Sequence, residues 1–107
     1  MAKRALEGIR VLDLGAVWAI PHVGAVLANM GAEVIKVESI QFLDMVRGLI
    51  NPFPVQAERY PGRVFGEHPW NRNTYFNDTN LGKLSITLDL TSEKGRGIFK
   101  RLLEKSD

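Results

Sequence analysis

The side chains able to do chemistry in this 107-residue chain are mostly carboxylates. Five aspartates (Asp13, Asp44, Asp78, Asp89 and Asp107) sit in strand, loop or terminal positions. Glu38 ends the apolar run Val34–Val37, where an acid that binds a ribose would sit, although a solvated strand-end carboxylate is the simpler account. His22 and His68 lie far apart without ligand spacing, so no metal site is expected. No Gly-x-Ser-x-Gly occurs, and a serine nucleophile therefore lacks its strained elbow. Only Gly15 precedes Ala16–Ile20; the missing G-x-G-x-x-G argues against a dinucleotide pyrophosphate cradle, which needs glycines for close backbone approach. Arg59–Arg72 interleaves aromatic and basic residues as single-strand nucleic-acid binders do. The balance of 14 basic against 12 acidic residues is too even for a nucleic-acid partner.

Three strands and two helices must carry these residues. Ile9–Leu14 is short, rich in branched side chains and bounded by Gly15, which predicts a buried strand. Pro21 suits a first helical turn, where its missing N–H had no partner anyway. Val23, Val26, Leu27 and Met30 then fall on one helical face, and Gly31 offers a left-handed stop. Val34–Val37 reads as the next strand. Connections this short predict a right-handed crossover and parallel pairing. Leu84–Leu90 alternates, with Leu84, Ile86, Leu88 and Leu90 on one face. Thr91 or Ser92 can cap the following helix, Glu93 favours its first turn, and Ile98, Phe99, Leu102 and Leu103 form its apolar stripe. Lys94, Arg96, Lys100, Arg101 and Lys105 are scattered around it as a solvated face.

Residues 39–79 show no sustained period and read as a long irregular loop, with a short helix within Ile40–Ile50 using Leu43, Val46 and Ile50. Every proline but Pro21 falls in Pro52–Pro69. Loops this long are usually functional or wrap another subunit. Wrapping would shelter Phe53, Tyr60, Phe65, Trp70, Tyr75 and Phe76, which are costly to expose.

In parallel α/β sheets ligands gather at the carboxyl ends of strands, here Gly15–Ile20, Glu38–Ile40 and Leu90–Glu93. Composition is that of one ordinary globular domain, 45% hydrophobic and 24% charged. Zero cysteines exclude disulfides and thiolate metal sites and suit a reducing, cytoplasmic setting. Leu14–Ala32 carries no formal charge, yet Pro21, Asn29 and three glycines favour a turn and buried helix over a membrane span. The fold class expected is α/β: a partial Rossmann-like parallel sheet (βαβ, long loop, βα) that stops before its next strand.

Four segments in order resemble the N-terminal portion of the family III CoA-transferases, a family that includes formyl-CoA transferase, carnitine CoA-transferase and the α-methylacyl-CoA racemases. They are Leu6–Leu14 (L-x-G-[IV]-[RK]-V-[LI]-[DE]-[LF]), Gly31–Glu38 (G-A-[ED]-V-I-K-[VI]-E), Asp44–Gly48 (D-x-x-R-G) and Asn80–Leu90 (N-x-x-K-x-S-[IVL]-x-L-D-L). Residues 1–107 are thus expected to form the N-terminal part of the large domain. The resemblance implies a carboxylate nucleophile. An aspartate attacks a CoA thioester to give a mixed anhydride, CoA thiolate re-forms a thioester on the enzyme, and the incoming carboxylate takes the CoA. The alternatives are an acyl-CoA racemase of the same family, working by general acid–base chemistry, or a non-enzymatic nucleotide- or CoA-binding fragment.

Carried over position by position, the resemblance places Val17 and Trp18 against the CoA near its thioester. It places Ser39, Leu88 and Thr91 near the adenosine and phosphates. Ile20 replaces the glycine of A-G-P, and Trp18 stands where transferases often carry glutamine. Ser39 and Thr91 occupy positions that are often basic, and Lys94 is the residue available to compensate. No catalytic residue is expected within the chain, because the family's nucleophile lies beyond residue 107. CoA or acyl-CoA is expected as substrate with no further cofactor. The implied protein partner is the remainder of the enzyme or a second copy.

Overall fold

Arg10–Asp13 (β1), Ala19–Asn29 (α1) and Glu33–Glu38 (β2) form a strand–helix–strand unit in the computed structural model, which describes residues 2–48 and 53–107. β1 and β2 pair in parallel, with Val11 opposite Val34 and Leu12 opposite Ile35. Leu84–Thr87 (β3) joins β2 on its other side, also parallel, with Val37 opposite Ile86. Among the described residues the sheet is three-stranded, in the order β1–β2–β3. The expected α/β class with an all-parallel open sheet is therefore present. Central β2 has Val34, Lys36 and Val37 buried.

The termini of α1 follow from its sequence. Pro21 sits in the first turn, and Gly31, at φ +108, ends the helix. The Gly31 N–H donates to the Ala28 carbonyl and the Ala32 N–H to the Leu27 carbonyl, the two bonds of a Schellman turn. Ala28, Ala32 and Val34 then form the central core cluster, with Leu6, Val11 and Leu27 against it.

The face of α1 differs from expectation. Pro21, Gly24, Ala25 and Ala28 are its buried residues, while Val23, Val26 and Met30 are exposed and Leu27 half-buried. Small residues let the helix approach closely. At Gly24 an added Cβ would come within 2.9 Å of both Asp13 Oδ2 and the Lys83 Cε. The large apolar stripe is left facing outward.

Residues 39–79 are less irregular than the sequence suggests. Met45–Arg47, Pro54–Arg59, Pro61–Arg63 and Pro69–Asn71 form 3-10 turns, and Thr74–Thr79 forms a short helix (α2) capped by Asn73. The helix expected within Ile40–Ile50 is only the Met45–Arg47 turn; Ile50 and Pro52 lie outside the described residues. The aromatic side chains are sheltered unequally. Tyr60 and Phe76 are buried within the chain itself and Tyr60 meets Phe65 edge-on, whereas Phe53 and Tyr75 are exposed.

β3 is shorter than its alternating run, although the Leu88 N–H still donates to the Glu38 carbonyl at 2.9 Å. Of the four leucine and isoleucine positions on the expected face, only Leu88 is buried, because β3 lies at the sheet edge. Ser92 then caps Glu93–Leu103 (α3), its hydroxyl oxygen accepting from the Gly95 N–H at 3.0 Å. The two glycines of α3 should behave oppositely when changed to alanine. A Cβ at Gly95 would collide with the Asp89 backbone carbonyl, whereas nothing lies within 4 Å of one at Gly97. Urea denaturation should show Gly97→Ala stabilised by about 0.5–1 kcal/mol, and Gly95→Ala destabilised by about 1–3 kcal/mol.

Among the described residues, no helix is long and apolar enough to cross a membrane.

Candidate functional site

The carboxyl ends of all three strands open onto one cavity of about 570 Å³. Its walls come from the turn after β1 (Leu14–Val17), the end of β2 and the connection beyond it (Lys36–Ser39, Gln41–Met45), and the turn after β3 (Leu88–Thr91). Of the residues expected at a ligand site, Val17, Ser39, Leu88 and Thr91 line this cleft together. Trp18 does not. Its half-exposed ring instead packs edge-on against Tyr75, with centroids 5.8 Å apart.

Leu88 is buried and contributes apolar surface, whereas Ser39 and Thr91 are each turned toward local partners. The Ser39 hydroxyl bonds the Gln41 side chain. The Thr91 hydroxyl and amide both donate to Asp89 Oδ1, at 2.6 and 2.9 Å. Those two bonds, the hydroxyl's first, hold the Asp89 carboxyl below the usual carboxylate range. Asp89 therefore presents an anion at the cleft wall. Lys94 is exposed in the first turn of α3, outside the cleft lining.

Among the described residues three ion pairs, two buried and one partly buried, hold the walls, and none was evident from the sequence. Lys83 reaches across from the start of β3 to Asp13 at the end of β1, 2.6 Å away, with both side chains at most 3% exposed. The Lys83 ammonium also donates to the Pro21 carbonyl (2.6 Å) and Asn80 Oδ1 (2.8 Å), while the Gly15 N–H donates to Asp13 Oδ1 (2.8 Å). Burial pulls the Lys83 ammonium below its ordinary pKa, and the adjacent Asp13 carboxylate opposes that shift.

The second pair joins Lys36 to Asp44 at 3.9 Å, again with both side chains nearly inaccessible. The third is a two-pronged bond from Arg47 to Glu38, at 2.9 and 2.7 Å. Arg47 also donates to the Trp70 carbonyl (2.8 Å) and lies 3.6 Å above the centre of the Phe76 ring. Glu38 is thus neither solvated nor free for a ribose, the two accounts its position suggests. A guanidinium nine residues later claims both of its oxygens.

With those charges paired internally, the cleft offers a ligand mainly apolar surface from Leu14, Val17, Phe42, Met45 and Leu90, all exposed. Among the described residues no cluster of histidines and carboxylates could hold a metal ion. A mainly apolar cleft with polar strand ends fits a partly apolar ligand better than a compact charged one.

The profile of CoA-transferase family III matches residues 6–107. The succinate–glutarate CoA-transferase of Agrobacterium fabrum is 39% identical over 105 residues, covering 98% of this chain and 24% of that protein. A formyl-CoA:oxalate CoA-transferase of Streptomyces coelicolor is 36% identical over 107 residues, or 100% of this chain and 22% of its own length. In three dimensions, a CAIB/BAIF family protein from Brucella suis aligns with a TM-score of 0.76 at 36% identity, over 99% of this chain and 25% of that one. The chain spans about a quarter of the length of these relatives. A match of profile, sequence and fold that runs from Leu6 to the last residue shows that this chain belongs to the family III CoA-transferases.

Proposed function

We propose that these residues form the N-terminal, CoA-binding portion of an acyl-CoA:carboxylate CoA-transferase. One observation carries the reading: the cavity at the carboxyl ends of β1, β2 and β3 is lined by four of the positions that the family resemblance puts against CoA. In open parallel sheets that crevice is where ligands lodge. Its apolar walls suit the pantetheine arm, and Val17, Ser39, Leu88 and Thr91 are the proposed contacts, with Trp18 acting from beside the cleft.

The nucleophilic aspartate belongs to a part of the protein outside these 107 residues. Support comes from how the aspartates here are occupied. Asp13 and Asp44 are buried in ion pairs, Asp89 is bound by Thr91, and Asp107 accepts from the Arg10 N–H. Asp78 lies exposed on α2, away from the cleft lining. The related enzymes named above act on dicarboxylates such as succinate, glutarate and oxalate, which favours a carboxylate acceptor. The outward stripe Val23, Val26 and Met30 is the surface that the rest of the enzyme, or a second copy, would cover in the cytoplasm.

Calorimetric titration of the chain with acetyl-CoA tests this. Saturable binding is expected, with no acetyl transfer to added succinate. Ser39→Glu, which puts a carboxylate where phosphate would approach, should weaken binding about tenfold, or ~1.4 kcal/mol. Absence of binding by the unaltered chain would defeat the reading, and turnover would defeat the placement of the nucleophile.

A further inference from the structure

The Asp44–Gly48 turn matches a motif whose role the reaction leaves unassigned, and its first residue holds the most unusual backbone in the cleft. Val17 has φ +70, a left-handed conformation that a β-branched side chain strongly disfavours. Such a residue persists only where its surroundings enforce it. The enforcing group is Asp44, whose two oxygens accept from the Val17 N–H at 3.0 and 3.2 Å. Asp44 is itself fixed by the Val46 N–H at 3.1 Å and by the buried Lys36 ammonium at 3.9 Å. Lys36 in turn donates to the Gly15 carbonyl at 2.6 Å. The turn from Gly15 to Val17 is therefore tied at both ends to residues of β2 and its following connection. Among the described residues the other left-handed non-glycine residue, Arg63, lies on an exposed turn away from the cleft, where its amide donates to the Tyr60 carbonyl at 2.9 Å.

We infer that Asp44 is a positioning residue: its carboxylate, steadied by Lys36, clamps Val17 in the left-handed conformation and so sets the shape of the cleft around the CoA ligand. This rests on the CoA-binding reading. Neither charge is available to the ligand, since both side chains are almost fully buried. Their effect on binding passes through the backbone of Val17.

The test uses Asp44→Asn and Val17→Gly, singly and together, in the full chain. Two quantities are read: hydrogen exchange at the residue 17 amide, and affinity for acetyl-CoA. Asp44→Asn should speed exchange at residue 17 and weaken acetyl-CoA, each about tenfold, as the released valine leaves the strained conformation. Exchange at Val37 in β2 should not change. Glycine adopts the left-handed conformation without strain, so in the Val17→Gly background the same Asp44 change should weaken affinity less than about threefold. A purely structural role would give equal losses in both backgrounds, and that result overturns the proposal, as does unchanged exchange at residue 17. If Asp44→Asn alone does not fold, the double variant should, because glycine needs no clamp; a double variant equally unfolded also overturns it. An unaltered chain that binds no acetyl-CoA defeats the functional reading and with it the ligand half of the proposal, and the exchange comparison still decides whether Asp44 holds the turn.

Discussion

Replacing Lys83 with methionine should destabilise the folded chain by about 3–5 kcal/mol, the cost of stripping one partner from a buried ion pair. Methionine keeps much of the lysine stem's volume, so the loss isolates the ammonium. Its removal leaves Asp13 buried with the Gly15 amide as a partner, and it takes one donor from the Pro21 carbonyl and one from Asn80. Since small domains are stable by only about 5–15 kcal/mol in total, a loss this large should shift the urea midpoint severely. The companion variant Lys83→Met/Asp13→Asn removes the stranded charge as well. It should be more stable than Lys83→Met alone, since a neutral pair avoids burying an isolated ion. If the double change is the worse of the two, the electrostatic account of this contact fails.

The second large effect should come from Arg47. Arg47→Ala is expected to cost about 3–4 kcal/mol, because Glu38 would remain in a largely closed site without its two charged bonds. The Trp70 carbonyl would also lose its donor and Phe76 the cation stacked on its face. Arg47→Lys should recover little of this. An ammonium is a point donor and cannot reproduce a planar fork that meets both Glu38 oxygens, a backbone carbonyl and a ring together. Thermal unfolding of the two variants checks this directly; a lysine variant close to the parent would show that charge alone, rather than fork geometry, matters.

These contacts mark the boundary of what the sequence discloses. The β1–α1–β2 unit was legible because its signals are local: a branched run ending at Gly15, Pro21 in the first turn, Gly31 at the stop. The Ser92 cap was legible for the same reason. Helical periodicity also identified the apolar stripe of α1, but not its direction. Which face turns inward is decided by Lys83, a residue distant in sequence that needs the space above Gly24. The fate of Glu38 was hidden similarly, because the guanidinium that claims it comes from beyond a turn with no periodic signal.

Within the cleft, family motifs brought Val17, Ser39, Leu88 and Thr91 to one place, and the parallel register explains why. Trp18 lies beside the cleft rather than in its wall, because the helix begins at Ala19 and the ring packs against Tyr75. Lys36 and Asp44 went unassigned because a charge in or beside a strand ordinarily signals solvent. The clue available was that Lys36 interrupts an apolar run in the middle of the sheet, where a solvated side chain is implausible.

The Asp13–Lys83 contact joins residues 70 positions apart, and this bears on synthesis. Translation delivers the amino end first. β1, α1 and β2 can meet while Lys83 is still inside the ribosome, yet the Asp13 carboxylate must keep its hydration until that ammonium arrives. A nascent chain that has not yet released Lys83 would therefore hold its first crossover unsealed, with Asn80–Lys83 the late-arriving stopper that dries the joint.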